Sequence, residues 1–462
     1  MNSRGTGRDP GKYPTVFLAD CGVLITEIHS LSTDAGEPQM SPGHGLAPVT
    51  FVLLLHCACT SGPFEPADGP WQGQITTEGN VTTVVNESGS VWGGTARLVE
   101  EASIGVDVGA EEYMLGGISA VHATDDRIYV VDAQVPAVRI YDYEGRFIGN
   151  LGGAGQGPGE YLDPGALTGA PDGRLFLLAE HNSKVHVYEA AGSYVETWPA
   201  RMVSFWPNAV GPDGVLWLPG TVQVGPGRDD FRRVIQAHGP EGAYGPRYFL
   251  EDVDFEPVTV TYDGREREIV PFAPRLVWAP AGPATFVTGA GDRYRLEYQR
   301  EGRTVRVVEK HWDPIPISDE YADWARRLTV ARYRERWPGW NWNGAEIPAH
   351  MPAFSSVYPM ASGELWVARR VASQRREECV KDPLAAGAGQ AQENPCWVVK
   401  WATDVFDAEG RYLGEVEFPP ELRLSFFSFF ARDDVVIAAV LDEAGTPMVK
   451  RYRLVLPGEE EE

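Results

Sequence analysis

Any chemistry in this 462-residue chain has to come from a small set of side chains. Six histidines, His122, His181, His186, His238, His311 and His350, are scattered over its middle. Neutral imidazole is a common metal ligand, and a catalytic zinc site needs about three protein ligands plus one open position. His181, in the loop AEHNSKV, and His350, ahead of PAF, are the candidates for that role. His186 sits at an alternating strand position and is expected to be packed or solvent-facing. No GxSxG, HExxH, P-loop or EF-hand pattern occurs. GAGQGPG (153–159) is glycine-rich but precedes strands rather than a helix, which excludes a dinucleotide loop.

A second group is aromatic. SDEYADWARRLTVARYRERW (318–337) has the period of an amphipathic helix, with Ser318 as cap and Asp319 and Glu320 at its positive end. Tyr321, Trp324, Leu328 and Ala331 share one face. The helix is expected to stop before Pro338 and run into WPGWNWN, which gathers Trp337, Trp340 and Trp342. Two roles follow from this pattern. The face packs the helix onto the rest of the fold, or the indoles form a wall that stacks on a sugar, peptide or aromatic ligand. Tyr321, Trp324, Trp337, Trp340, Trp342 and His350 are the candidate ligand-binding residues.

The net charge of −25, from 65 acidic and 40 basic residues, repels phosphate backbones and argues against a nucleic-acid partner. Of the five cysteines, Cys379 and Cys396 flank a Gly/Ala/Gln-rich segment, and outside the cytosol they are expected to close it as a disulfide. The run LAPVTFVLLL (46–55) has the length of a signal-peptide core and is too short to span a bilayer. The HCACTSG that follows resembles a bacterial lipoprotein signal, which makes Cys59, after Ala58, the lipidation site and Cys57 the alternative. Acidic residues within 1–39, Asp20, Glu27, Asp34 and Glu37 among them, place the true start of translation in question, with Met40 as the second choice.

The elements that would position these residues come from an internal repeat. DDRIYVVDAQVPAVRIYDYEGRFIGN (125–150) aligns without a gap on DGRLFLLAEHNSKVHVYEAAGSYVET (172–197), and FDAEGRYLGEV (406–416) repeats YDYEGRFIGNL (141–151). Each unit is a turn, an alternating strand, a short loop, a second alternating strand and a Gly turn, the pattern of a four-stranded propeller blade. GPDGVLWLPG (211–220), a degenerate unit at 275–308, SGELWVARR (362–370) and 431–456 bring the count to six. NVTTVVN (80–86) is expected to return as the outer strand of the last blade and close the ring. The expected fold is all-β, a six-bladed propeller over 80–456 with a helical, Trp-rich insertion at about 312–346 between blades 4 and 5. Residues 1–59 are extension and signal, 60–79 a linker, and 457–462 an acidic tail.

On these residues the chain resembles NHL-type propellers. Residues 153–194 follow the pattern Gly-x-Gly-Pro-Gly-x-aromatic, Pro, Asp-Gly, strand, strand, Gly, and the layout is similar to exported six-bladed bacterial propeller lipoproteins. The pattern also has an Asp after the first strand and an Arg five residues on. Blade 1 keeps Asp132 but has Ala137, and blade 2 has Lys184 but Ala179. The resemblance implies a scaffold hosting binding modules and some zinc lyases. The expected function is an exported, lipid-anchored monomer of the periplasm or cell envelope, binding a small molecule, glycan or protein without a cofactor. The alternative is a metal-assisted lyase or hydrolase in the channel, with Zn or Ca held by His181 and His350.

Overall fold

The computed structural model describes residues 69–459 apart from 180–182, 201–208, 212, 227–229, 240–242, 263–264, 268–269, 376–396, 420 and 423–428. Strand follows strand because apolar residues alternate and glycine turns reverse the chain. At the third-to-fourth strand turn of blade 1, the Asp142 carboxylate accepts from the Arg146 N–H at 2.8 Å, and Gly145 takes φ 81°. Asp407 with Gly410 builds the same turn in blade 5, and Asp442 with Gly445 builds one of the same form between the second and third strands of blade 6. The left-handed backbone needed there is open to glycine at no steric cost, and this is why 406–416 repeats 141–151.

Among the described residues six antiparallel units succeed one another. Blade 1 comprises Ile118–Ala123, Ile128–Asp132, Ala137–Tyr141 and Phe147–Asn150; blade 2, Pro164–Gly169, Leu175–Ala179, Lys184–Tyr188 and Tyr194–Pro199. Blade 3 comprises Ala209–Val210, Leu216–Gln223, Phe231–His238 and Tyr244–Phe249; blade 4, Val277–Pro280, Thr285–Gly289, Arg295–Arg300 and Arg303–Lys310. Blade 5 comprises Ser356–Pro359, Leu365–Arg375, Trp397–Phe406 and Tyr412–Glu417; blade 6, Phe429–Arg432, Val435–Leu441 and Pro447–Val455 with Ala96–Ile104 as its fourth strand. The first strand of blade 1 lies against the first strands of blades 2 and 6, as in a closed ring. Core clusters sit between blades: Tyr129 and Val131 pack on Leu175 and Leu177, while Ile128 and Val130 pack on Ile437 and Val449. The fold is a six-bladed β-propeller.

The strand that closes the ring differs from the one expected. Val81–Ser88 pairs in parallel with the fourth strand of blade 4, from Thr82 opposite Arg306 to Asn86 opposite Lys310. Closure falls instead to Ala96–Ile104, antiparallel to Pro447–Val455. The reason is complementarity. Ala96 and Leu98 pack with Tyr452 and Leu454 in the blade 6 core, and Glu100 and Glu101 answer Lys450 (2.8 Å), Arg451 (2.5 Å) and Arg453 (3.0 Å). NVTTVVN carries no carboxylate to offer those cations. Between the two strands, Val91 and Trp92 donate to the Tyr412 and Leu413 carbonyls of blade 5. The segment from 81 to 104 therefore straps the outer edges of blades 4, 5 and 6.

Candidate functional site

In an antiparallel four-stranded blade, the blade-to-blade crossovers and the loops between second and third strands lie at the same end of the ring. Two crossovers at that end are long: 250–276, ahead of blade 4, and 311–355, ahead of blade 5. The second carries α1 (Asp319–Arg336), the one α-helix among the described residues, capped as expected by the Ser318 hydroxyl accepting from the Tyr321 N–H at 3.2 Å. Tyr321 and Ala325 are its buried residues, packed with Phe272 and Met351; Trp324 and Leu328 are half-buried and Ala331 is exposed. The Trp-rich loop folds back on the other crossover: Trp340 is buried with Val260, Val270 and Ala273, and Trp337 stacks on Tyr333 at 5.3 Å. The Trp342 indole donates to the Ala345 carbonyl. A Val260–Gly344 bridge joins the crossovers.

The candidate aromatic residues thus gather in one two-crossover layer. Trp340 serves mainly as its core, while Trp337 and Trp342 keep part of their surface in solvent. The buried indole N–H groups of Trp324 and Trp340 have no hydrogen-bond partner among the described residues. His350 is exposed and bridges to Pro316 at the foot of this layer. His181, Cys57, Cys59, Cys379 and Cys396 lie outside the described residues. Among the described residues no three His, Cys, Asp or Glu side chains gather as a metal site would require.

Directly beneath the second crossover, between blades 4 and 5, is a polar group that sequence reasoning missed. Asp404 is fully buried and accepts from Tyr294 Oη at 2.7 Å, Tyr412 Oη at 3.1 Å and Arg369 Nε at 3.1 Å. Lys310 Nζ lies 3.7 Å from it, over the Tyr412 ring at 4.6 Å and the Tyr294 ring at 5.2 Å. Arg369 also pairs with Glu415. Burial alone would raise the Asp404 carboxyl; the Lys310 and Arg369 charges and the two hydroxyls outweigh it and hold the group below its usual range. Burial, then the Asp404 charge, pushes both tyrosines far up, so they remain neutral donors. A pocket of about 280 Å³ opens alongside, lined by Val85, Asn86, Glu87, Glu309, Lys310 and His311.

This cluster is one version of a repeated feature. On the third strand of each blade, a polar residue faces the same apolar position of the second strand: Arg139 opposite Val130, His186 opposite Leu177, Gln236 opposite Leu218. Tyr298 faces Val287, Asp404 faces Val367 and Lys450 faces Ala438. In blade 1 the Arg139 guanidinium meets Asp132 at 2.9 Å, with both side chains nearly dry, and Asp132 also accepts from the Gly116 and Gly117 N–H groups of the preceding crossover. In blade 5 the same two positions carry Arg369 and Asp404, the pair with its charges exchanged. The signal was in the alignment, which sets Arg139 on His186 within the otherwise apolar runs AVRIY and KVHVY.

A family model described as a 6-bladed beta-propeller matches residues 109–205, which span blades 1 and 2. No curated protein matches the chain. Among solved structures, a Bacteroides fragilis protein assigned as exported is 11% identical, with 77% of this chain and 95% of that one covered at a TM-score of 0.42. A member of the DUF4221 family from Bacteroides vulgatus is 10% identical over 78% of this chain and 99% of that one, with a TM-score of 0.40. Virginiamycin B lyase from Staphylococcus aureus is 10% identical over 78% and 100%, with a TM-score of 0.35. Among the described residues no helix is long and apolar enough to cross a membrane.

Proposed function

We propose that this chain is an exported, lipid-anchored, NHL-type propeller that acts as a binding module, with its ligand seated on the two-crossover layer over blades 4 and 5. The observation that carries this reading is the layer itself. Two crossovers, 250–276 and 311–355, are joined through Trp340 and Tyr321 into one aromatic body, which leaves Trp337 and Trp342 partly in solvent beside Asn341 and Asn343. Indoles next to amide side chains suit the apolar face and hydroxyl rim of a sugar, or an extended peptide.

The test is a screen of the purified exported chain against soluble glycans and short peptides, read by tryptophan fluorescence and repeated with Trp337→Ala and Trp342→Ala. A ligand whose affinity falls at least tenfold in either variant, with melting unchanged, supports the assignment; equal affinity in both moves the site elsewhere. Elemental analysis separates the alternative, a lyase or hydrolase using His181 and His350, because that reading requires a stoichiometric Zn or Ca. For the anchor, Cys59→Ser combined with Cys57→Ser should release the protein from the membrane fraction, and unchanged fractionation removes lipidation from the proposal. Thiol labelling that modifies both Cys379 and Cys396 without reductant removes the disulfide, whose loop closure would contribute about 3 kcal/mol.

A further inference from the structure

The same end of the ring carries a second surface, on the far side from the insertion. Three segments meet there over blade 1: the crossover 105–117, the loop 133–136 and the crossover 151–163. They are joined by the Gly116 and Gly117 bonds to Asp132 and by Tyr161 Oη accepting from the Val138 N–H at 2.9 Å. The Val106 N–H closes the first segment onto the Tyr113 carbonyl. On this framework Val108 is 84% exposed, Leu162 48% and Val135 41%, with Val106 and Met114 also in solvent. A single exposed valine is ordinary, but several large apolar side chains on three abutting loops form a patch of the kind that marks an interaction site.

The charge within the three segments is of one sign. The three segments contain Asp107, Glu111, Glu112, Glu160 and Asp163 and no Lys or Arg. Asp107, Glu111 and Glu112 form no ion pair with any described residue, although ion pairs are frequent elsewhere on this surface. An apolar centre beside these three unneutralised carboxylates discriminates between occupants. A second copy would bring acid against acid, and anionic lipid or nucleic acid would be repelled. A basic segment would neutralise the carboxylates while covering the apolar centre.

We infer that the blade 1 end of the ring is a docking surface for a basic, amphipathic segment of a partner protein. The surface is separate from the insertion layer, and the inference stands without the ligand proposed there. The probe is a synthetic 14-residue peptide alternating Lys and Leu, titrated onto the full exported chain by fluorescence anisotropy at several salt concentrations, with a Glu/Leu peptide as control. Val108→Ser with Val135→Ser and Leu162→Ser removes apolar surface from exposed positions; Asp107→Asn with Glu111→Gln and Glu112→Gln removes the carboxylate charge. Each triple variant is expected to weaken the Lys/Leu peptide at least tenfold, and the charge variant alone to flatten the salt dependence. Glu78→Gln with Glu189→Gln and Glu301→Gln, which removes three charges elsewhere, should change affinity less than twofold. Equal weakening by that control assigns the binding to the overall net charge and overturns the inference. So does full affinity in the Ser variant, or binding no stronger than that of the Glu/Leu peptide. Circular dichroism and melting of every variant exclude misfolding as the cause.

Discussion

Asp404→Asn keeps the shape of the side chain and removes one charge from a fully buried position. The wild-type group of Asp404, Glu415, Lys310 and Arg369 is balanced, two acids against two bases. The variant leaves one positive charge in excess. Arg369 keeps Glu415, so Lys310, 18% exposed and otherwise resting on two tyrosine rings, carries most of the loss. Removing one partner of a buried pair costs about 3–5 kcal/mol. For a unit spanning residues 69–459, unfolding entropy near 2 cal/mol/K per residue converts that to a fall in Tm of about 4–6 °C. Lys310→Met in the same background restores neutrality with apolar atoms and should recover at least half the loss. The pH dependence has a definite sign. The folded pKa of Asp404 is depressed, so its contribution is present above the unfolded carboxylate range and is lost as pH falls through the folded value. Differential scanning calorimetry of wild type, Asp404→Asn and Asp404→Asn/Lys310→Met at pH 7 and pH 4 is the assay. A single variant within 1 °C of wild type, or a double variant no better than the single, would refute the claim that an unbalanced charge between blades 4 and 5 is what destabilises the fold.

Two further outcomes follow from the same reasoning. Asn86 accepts from the Trp71 indole and the Tyr412 N–H, both at 2.8 Å, and donates to the Glu309 and Gly410 carbonyls at 3.0 and 3.1 Å. Asn86→Ala strands those buried groups at about 1–3 kcal/mol and should let limited proteolysis cut within 70–95 before the blades; unchanged protection would mean the strap is held elsewhere. Burial, helped by Arg432 and Arg247 respectively, brings His122 and His238 down to about 4. Between about pH 4 and 6.5 the unfolded chain then binds more protons than the folded one, so stability rises with pH across that window. His122→Asn with His238→Asn should flatten the rise in Tm between pH 4.5 and 6.5, and an unaltered slope would assign it to other groups.

The blades were legible because each is a local object. Their turns, their alternation and, in blades 1, 2 and 5, the Tyr or Phe ending the third strand lie within about 25 residues of one another, and Arg127 meets Arg174 as Tyr141 meets Tyr188. The closing strand was harder because its partner is remote. Val81–Ser88 and Ala96–Ile104 are both β-prone, and the choice between them turns on Glu100 and Glu101 meeting cations some 350 residues away. The aromatic insertion was placed on the right helix, yet how far each indole is buried depended on the other crossover, through Val260 and Phe272, which no helical period encodes.

The repeated polar position explains why blades this alike can still assemble in one order. Four of these six residues meet the chain that leads into their own blade: Arg139 meets the Glu111 carbonyl at 3.4 Å, the His186 ring meets Tyr161, Asp404 meets Lys310 at the end of blade 4, and Lys450 meets Glu421 at 2.9 Å. The partners are not interchangeable. Blade 5 moved into the place of blade 6 would set Asp404 against Glu421, and blade 6 in the place of blade 5 would bring Lys450 onto Lys310. Either leaves like charges facing in a buried or half-buried site, at a cost comparable to breaking the pair outright. The apolar cores between blades are built from similar Val, Leu and Tyr contacts and supply most of the cohesion. The polar residues add little to that cohesion, and their different chemistries let each blade distinguish its neighbour.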